Sequence, residues 1–499
     1  MAENGKKNGI FGGLIWTFGE RISAQLVSAI VGIILARLLM PEDYGAVSIV
    51  LVFITFCDVF VTSGFGTALV QKQEASQEDY NTAFTMSLIM ASALYLILYV
   101  SAPFIADFYD MPILKPVVRV LGIRVIITAI NTIQHAIIQR EMAFRKFFFA
   151  TLIGTLISCA VGIIMACSGF GVWALVAQYL TNSTIDTIVL FVVGTWKPRA
   201  CYSRSSAKRI FSFGGRVLAT NLTYTILAQI SNLLIGKVFG ASELAYYNQG
   251  EKYPSLIISN IDNSIQEVML PAYSRVQNNI EELKEILRKS IRVGIYIIAP
   301  LMLGLFAISD TFVHVVLTDK WSQAVPFIRI FCLILLSRPF TASCHQAVLG
   351  IGRSDLALKV IVIVNVVKFI LTMIAIFIVK DVLWVAQVLL VSECVSIAGF
   401  SNAVKKQLGY YYSEQLTDVI NSLLIAIIMC IVVYALHFIH IDRGLMICIQ
   451  ILAGAAIYIS LSVLFKLEPY IYLKNLLKEK LLKKNIPADQ TAKQYTEKS

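Results

Sequence analysis

The sequence is dominated by apolar runs long enough to cross a bilayer, about fourteen of them at roughly 20 residues per span. Within hydrocarbon a single run must satisfy its own backbone hydrogen bonds, which leaves the α-helix as the conformation available to it. The first six runs lie near 12–38, 45–70, 82–106, 115–138, 147–167 and 171–194. A hydrophilic stretch, 195–209, precedes six more near 210–239, 244–270, 292–317, 324–350, 357–380 and 382–403. Two others follow near 416–438 and 444–465, then a Lys-rich tail from 466 to 499. With 57% apolar and only 15% charged residues, the chain has more apolar surface than one water-facing core can bury. The expected class is an all-α polytopic membrane protein.

The runs also repeat. Leu35-Ala36-Arg37 through Glu42-Asp43-Tyr44-Gly45 is echoed two hundred positions later by Ile235-Gly236-Lys237 through Ser242-Glu243-Leu244-Ala245. Val176-Ala177-Gln178-Tyr179-Leu180 recurs as Val385-Ala386-Gln387-Val388-Leu389, and His135 matches His345. Three anchors in the same order imply two copies of one unit. The expected organisation is a six-helix bundle over 1–194, a linker over 195–209 and a second six-helix bundle over 210–403. Two additional helices occupy 404–465, and the tail covers 466–499.

Six helices per copy start both copies from the same side of the membrane, so the repeats are parallel. Transporters built from parallel repeats hold substrate between the halves and rock one half against the other. Lys and Arg favour the cytoplasmic loops. One set of alternating loops holds most of them, including Arg140, Arg145, Lys197, Arg199, Arg204, Arg288, Lys289 and Arg353, along with the lysines of the tail. That bias places both termini and the linker in the cytoplasm. It also accounts for the net charge of +11 without nucleic acid, since the basic residues sit in membrane loops rather than in a soluble patch. The stretch from Ile280 to Arg288 alternates charged and apolar residues at helical spacing and reads either as an amphipathic helix along the membrane surface or as a soluble helical linker.

A charge inside a span costs at least ~2.5–3.5 kcal/mol at the bilayer centre, so it faces a cavity or a partner. Arg21, Gln25, Ser28 and Gly32 share one face of the first helix, and Asn221, Thr225, Gln229 and Asn232 mark the matching face of the second copy. Arg124, Thr128, Asn131 and His135 form another stripe, echoed by Arg338, Thr341 and His345. Lys252 heads a stripe through Ser255, Ser259, Asp262 and Gln266. Arg21, Gln25, Arg124, Asn131, Asn221, Lys252 and Arg338 are thus candidates for a cationic, substrate-holding cavity. Guanidinium forks match phosphate oxygens, so an anionic substrate is expected. Hydrogen bonding between helices is the plainer role for the uncharged members. Asp58, His135, His345 and Glu393 are candidates for ion coupling, with Asp58 first because no sequence neighbour neutralises it.

No nucleotide-binding GxxxxGK[ST], metalloprotease or nucleophile-elbow motif occurs, and the scattered cysteines have no metal-ligand spacing. The expectation is a transporter rather than an enzyme, with no metal and no cofactor, and with H⁺ or Na⁺ as candidate coupling ions.

The Leu35–Gly45 stretch, the Gln139-Arg140-Glu141-Met142-Ala143-Phe144-Arg145 loop and Gly171-Val172-Trp173-Ala174-Leu175-Val176 resemble bacterial polysaccharide transporters. These are the Wzx-type O-antigen and exopolysaccharide flippases of the multidrug/oligosaccharidyl-lipid/polysaccharide exporter superfamily. The resemblance implies two six-helix bundles in a V plus two C-terminal helices, in the bacterial inner membrane. It implies transfer of an undecaprenyl-pyrophosphate-linked oligosaccharide from the cytoplasmic to the periplasmic leaflet, for O-antigen, capsule or exopolysaccharide synthesis. The implied partners are that lipid-linked substrate, the bilayer, and a polysaccharide polymerase with other pathway enzymes. A drug/cation antiporter and a lipid II flippase of the same superfamily are the alternatives. The cationic stripes oppose the first, and residue chemistry does not separate the second.

Overall fold

The computed structural model describes residues 25–475 apart from 26, 63–65, 67–68, 70–74, 142–143, 195, 200–201 and 440. The described residues are helical, with no strand among them. In chain order the helices are α1 (Val27–Leu38), α2 (Pro41–Val61), α3 (Gln77–Phe108), α4 (Leu114–Leu121), α5 (Ile123–Glu141), α6 (Phe144–Cys167) and α7 (Val172–Val193). Then come α8 (Arg204–Val238), α9 (Ala241–Arg275), α10 (Ile280–Phe312), α11 (Val325–Leu336) and α12 (Arg338–Gly350). The last are α13 (Ser354–Ile374), α14 (Val382–Leu408), α15 (Tyr412–Ala435) and α16 (Arg443–Leu464).

Among the described residues, eleven helical segments are long and apolar enough to cross a membrane, with α4–α5 and α11–α12 each forming one such segment. The chain is therefore a multi-pass membrane protein. Helices α8 and α9, at 35 residues each, have the length but are richer in polar groups. Both composite segments break just ahead of an arginine, at Gly122 before Arg124 and at Ser337 before Arg338. The internal echo noted in the sequence thus extends to a matched helix interruption.

The chain divides into two compact units. The first holds residues up to 249 with 316–324 and 369–385; the second holds 250–315, 325–368 and 386–499.

In the first unit the two copies of the repeated motif touch each other. A Cβ added at Gly45 would lie 1.9 Å from the carbonyl oxygen of Ala241, and one at Gly236 would lie 3.1 Å from Cγ1 of Ile49. Small residues at these positions let the backbones approach, as membrane helices do where no hydrophobic force separates protein from lipid. Buried Trp321 donates its indole N–H to the carbonyl of Ala36 at 2.8 Å, and Lys320 donates to that of Arg37 at 2.7 Å. Lys237, the echo of Arg37, instead pairs with Asp110 at 2.9 Å. Glu243 stands in the first turn of α9, ahead of the apolar run read at 244–270, and there burial, reinforced by the charge of Asp381, raises its carboxyl above the usual range.

In the second unit the amphipathic stretch at Ile280 is the first third of α10, one continuous 33-residue helix, and not a separate helix along the membrane. Asn279 caps it, accepting the Glu282 N–H at 3.3 Å. Leu283, Leu287 and Ile291 recur every four residues and are fully buried in the unit's core with Tyr410, Met429 and Tyr458. The apolar stripe that suggested a membrane-surface helix is therefore consumed by protein packing. Beside it on the helix, Arg288 and Arg292 reach across to α15 and converge on Asp418.

Candidate functional site

A polar interior of the first unit is built on α5. Arg124, Asn131 and His135 stand seven and four residues apart, so the 3.6-residue period sets them on one face with Thr128 between. That face lines a cavity of about 510 Å³, closed by Asn182, Ser183 and Asp186 of α7 and by Thr62 and Gly66 beyond α2. The α5 stripe read from the sequence is thus brought to one place.

Several of its polar groups are paired. Asn131 donates its amide to Asp186 Oδ2 at 2.7 Å, and His135 Nε2 lies 3.4 Å from the same oxygen. Arg124 donates Nε–H to Ser183 Oγ at 3.2 Å and approaches Asp58 Oδ2 only to 3.8 Å. The latter is an ion pair beyond hydrogen-bonding distance. A guanidinium has five N–H donors. Among the described residues, one is used by Ser183, so Arg124 enters the cavity with donors to spare. Buried oxygens add to the imbalance. Asp58 Oδ1, Asn131 Oδ1 and Asp186 Oδ1 accept no hydrogen bond from a described residue. Orphaned acceptors of this kind in a polar cavity are places for water, a proton or a cation. The Tyr179 ring flanks Arg124 at 6.0 Å.

The second unit has its own polar set. Arg338 at the start of α12 pairs with Asp262 of α9 at 2.9 Å. Glu393 of α14 accepts hydrogen bonds from Ser337 at 2.7 Å and Thr341 at 3.2 Å. His345 turns its ring to the edge of Phe400 at 5.5 Å. Lys252 lies 5.9 Å from the ring of its neighbour Tyr253. The opposing charge that reaches Glu251 comes from Lys368 on α13 and not from adjacent Lys252, since consecutive helical residues point about 100° apart.

Gln25 and Asn221 are half-buried and do not line the α5 cavity, and Arg21 lies outside the described residues. Asn182, Ser183 and Asp186 are not among the site candidates read from the sequence. All three belong to the polar stretch Thr181–Thr187 in the middle of α7, a signal present in the sequence.

The family model described as polysaccharide biosynthesis protein matches residues 34–326. The succinoglycan biosynthesis transport protein ExoT of Rhizobium meliloti is 25% identical over 325 residues, 64% of this chain and 65% of that one. The chain therefore aligns to slightly less than two thirds of that relative's length. The teichuronic acid biosynthesis protein TuaB of Bacillus subtilis is 24% identical, covering 70% of this chain and 72% of its own. The lipopolysaccharide biosynthesis protein WzxC of Escherichia coli is 23% identical, covering 68% and 71%. Among solved structures, the inward closed lipid II flippase MurJ superposes with a TM-score of 0.72 at 15% identity, over 90% of this chain and 98% of that one. An inward-facing multidrug resistance MATE transporter superposes at 0.60 with 16% identity, over 77% and 94%. At these identities the likeness is one of fold.

Proposed function

The chain belongs to the polysaccharide biosynthesis protein family, and from that membership we propose that it is a flippase for a lipid-linked oligosaccharide. The substrate in this reading is an undecaprenyl-pyrophosphate oligosaccharide, carried from the cytoplasmic to the periplasmic leaflet of a bacterial inner membrane. Both termini are cytoplasmic, no cofactor takes part, and the protein performs no catalysis. A polysaccharide polymerase is the expected next partner.

The observation that carries the reading is Arg124, a permanent cation lining a cavity with uncommitted N–H donors and a loose ion pair to Asp58. A pyrophosphate brings several acceptor oxygens that match a guanidinium fork, and charge-assisted bonds of that kind are roughly twice as strong as neutral ones. The substrate therefore competes with Asp58 for Arg124. A proton or Na⁺ taken up at Asp58 would release the arginine for substrate, and its departure would restore the pair. The same logic serves Arg338 and Asp262, although their 2.9 Å contact makes the exchange costlier. His135, held against Asp186, is a second place where a proton would change the charge of the cavity.

One observation favours an alternative. Two carboxylates, Asp58 and Asp186, accompany the single arginine of this set, a balance that also suits a cation antiporter. Complementation separates the readings. The gene is expressed in a strain lacking its own O-antigen flippase, and surface polysaccharide and dye efflux are followed together. Restored polysaccharide, lost in Arg124→Ala at unchanged protein level, supports the flippase; efflux of cationic dyes without polysaccharide overturns it.

A further inference from the structure

A second cavity, of about 550 Å³, lies where α10 begins and the chain leaves α16. It lies wholly in the second unit and shares no residue with the α5 cavity. Its walls carry four cations, Arg288, Lys289, Arg292 and Lys466, against Glu285 and Glu468. The arginines are committed, Arg288 to Asp418 at 2.7 Å and Arg292 to both Asp418 and Glu468. The lysines are not: among the described residues neither has a carboxylate in ion-pair contact, and Lys289 places its ammonium 4.0 Å over the Tyr472 ring.

Lys466 also occupies an unfavourable backbone position. After α16 the Leu467 N–H bonds to the Ser462 carbonyl at 3.1 Å and the Lys466 N–H to that of Val463 at 3.2 Å. This pairing turns the chain sharply and requires the intervening residue to be left-handed, a place that glycine fills at lowest cost. Lys466 takes it with φ +49°. The turn points the chain into the helical segment 468–475, which carries Tyr472 back over Lys289.

Next to this cationic cavity the surface is apolar. Leu464 and Phe465, the two residues before Lys466, are 71% and 62% exposed, and Ile471 opens from the cavity wall. A soluble anion has no use for that border, whereas an amphiphile uses both parts. Lys474, Lys478, Lys480, Lys483 and Lys484 follow within twenty residues of the end of α16. A basic cluster immediately cytoplasmic of a spanning helix attracts anionic lipid at the inner leaflet.

We propose that the cavity between α10 and segment 468–475 is a binding site for the phosphate headgroup of an anionic phospholipid of the cytoplasmic leaflet. Lys289 and Lys466 grip the phosphate while Leu464 and Phe465 border the acyl chains. The site rests on the cytoplasmic placement of the loops proposed above. It is distinct from the substrate cavity, so a bound phospholipid acts as a fixed component that clamps α10 to the end of α16.

The test is lipid retention by the purified full-length protein, measured by native mass spectrometry and thermal unfolding. Nanodiscs of phosphatidylcholine alone are compared with nanodiscs containing phosphatidylglycerol, and parallel samples receive glycerol phosphate or undecaprenyl phosphate. The wild type is expected to retain phosphatidylglycerol and to melt higher with it. Lys289→Gln and Lys466→Gln should each weaken retention roughly fivefold, the effect of one surface lysine on an anionic lipid. Lys466→Gly separates binding from folding: it should raise Tm in phosphatidylcholine by relieving the left-handed turn, yet weaken phosphatidylglycerol retention. Equal retention by all variants overturns the proposal. Full competition by glycerol phosphate, or preference for undecaprenyl phosphate, also overturns the assignment to a bulk phospholipid. None of these outcomes depends on flippase activity, and orientation is checked separately by labelling a cysteine placed at Asn475.

Discussion

Asp418→Asn should be among the most damaging single substitutions outside the α5 cavity. The Asp418 carboxylate is 1% exposed and accepts four hydrogen bonds. Two come from Arg288 at 2.7 and 2.9 Å, one from Arg292 at 2.8 Å and one from the Tyr410 hydroxyl at 2.8 Å. The amide removes the charge and turns one acceptor into a donor that faces a guanidinium. Breaking a buried pair by removing one partner costs ~3–5 kcal/mol. The two arginines keep about a quarter of their side-chain surface exposed, and Glu414 and Glu468 also contact them, so the low end, about 3 kcal/mol, applies here. The second unit has about 220 residues, and in a unit of that size each kcal/mol moves Tm by ~2–4 °C. The expected drop is therefore about 6–12 °C in detergent, read by size-exclusion after heating. Replacing the group together, Asp418→Leu with Arg288→Met and Arg292→Met, should recover part of that loss: no buried charge is left stranded, since Glu414 keeps Lys284 and Glu468 is exposed, although the Tyr410 hydroxyl loses its acceptor. A drop under about 2 °C for Asp418→Asn, or a triple variant no better than the single, would refute the claim that Asp418 organises this end of the unit.

Two further substitutions probe the first unit. Gly45→Ala places a methyl against the backbone of Ala241, where only a backbone shift makes room, so a loss of at least ~1–3 kcal/mol is expected. Gly236→Ala meets the movable end of Ile49 and should cost less; thermal unfolding of the pair in one detergent decides the order. Glu243 supplies a pH signature. Its carboxyl titrates higher in the folded protein than in the unfolded chain, so ionisation costs stability as pH rises from 4.5 through the raised value. Glu243→Gln should remove that component of the Tm–pH profile and leave acidic values unchanged; parallel profiles for both proteins would contradict the sign.

The sequence made the helices and the repeat plain because both are periodic. Leu35–Gly45 and its echo are legible as strings, and their contact through Gly45 and Ala241 follows the small residues they contain. The stripe from Arg124 to His135 was equally legible, since four side chains on one helix obey a single period. What the stripe meets was not. Asp58 lies 66 residues before Arg124 and Asp186 lies 55 after Asn131, and no local rule joins them. The same distance hid the partner of Arg288, which lies 130 residues away in Asp418. The amphipathic stretch at Ile280 shows the converse. Its periodicity was correctly read as helical, but periodicity alone does not say whether lipid or protein covers the apolar side. Here Leu283, Leu287 and Ile291 meet a protein core.

In the flippase reading proposed above, a cavity arginine grips a lipid pyrophosphate during transfer across the bilayer. Reconstituting the protein in liposomes with a labelled undecaprenyl-pyrophosphate disaccharide, and following its exposure to a membrane-impermeant quencher, tests that claim directly. Wild-type protein should speed transfer, Arg124→Lys should retain part of the rate, and Arg124→Gln should slow it ~10–100-fold, the span expected for losing hydrogen bonds to a charged group. Equal rates for wild type and Arg124→Gln, at equal reconstituted amounts, would contradict the account.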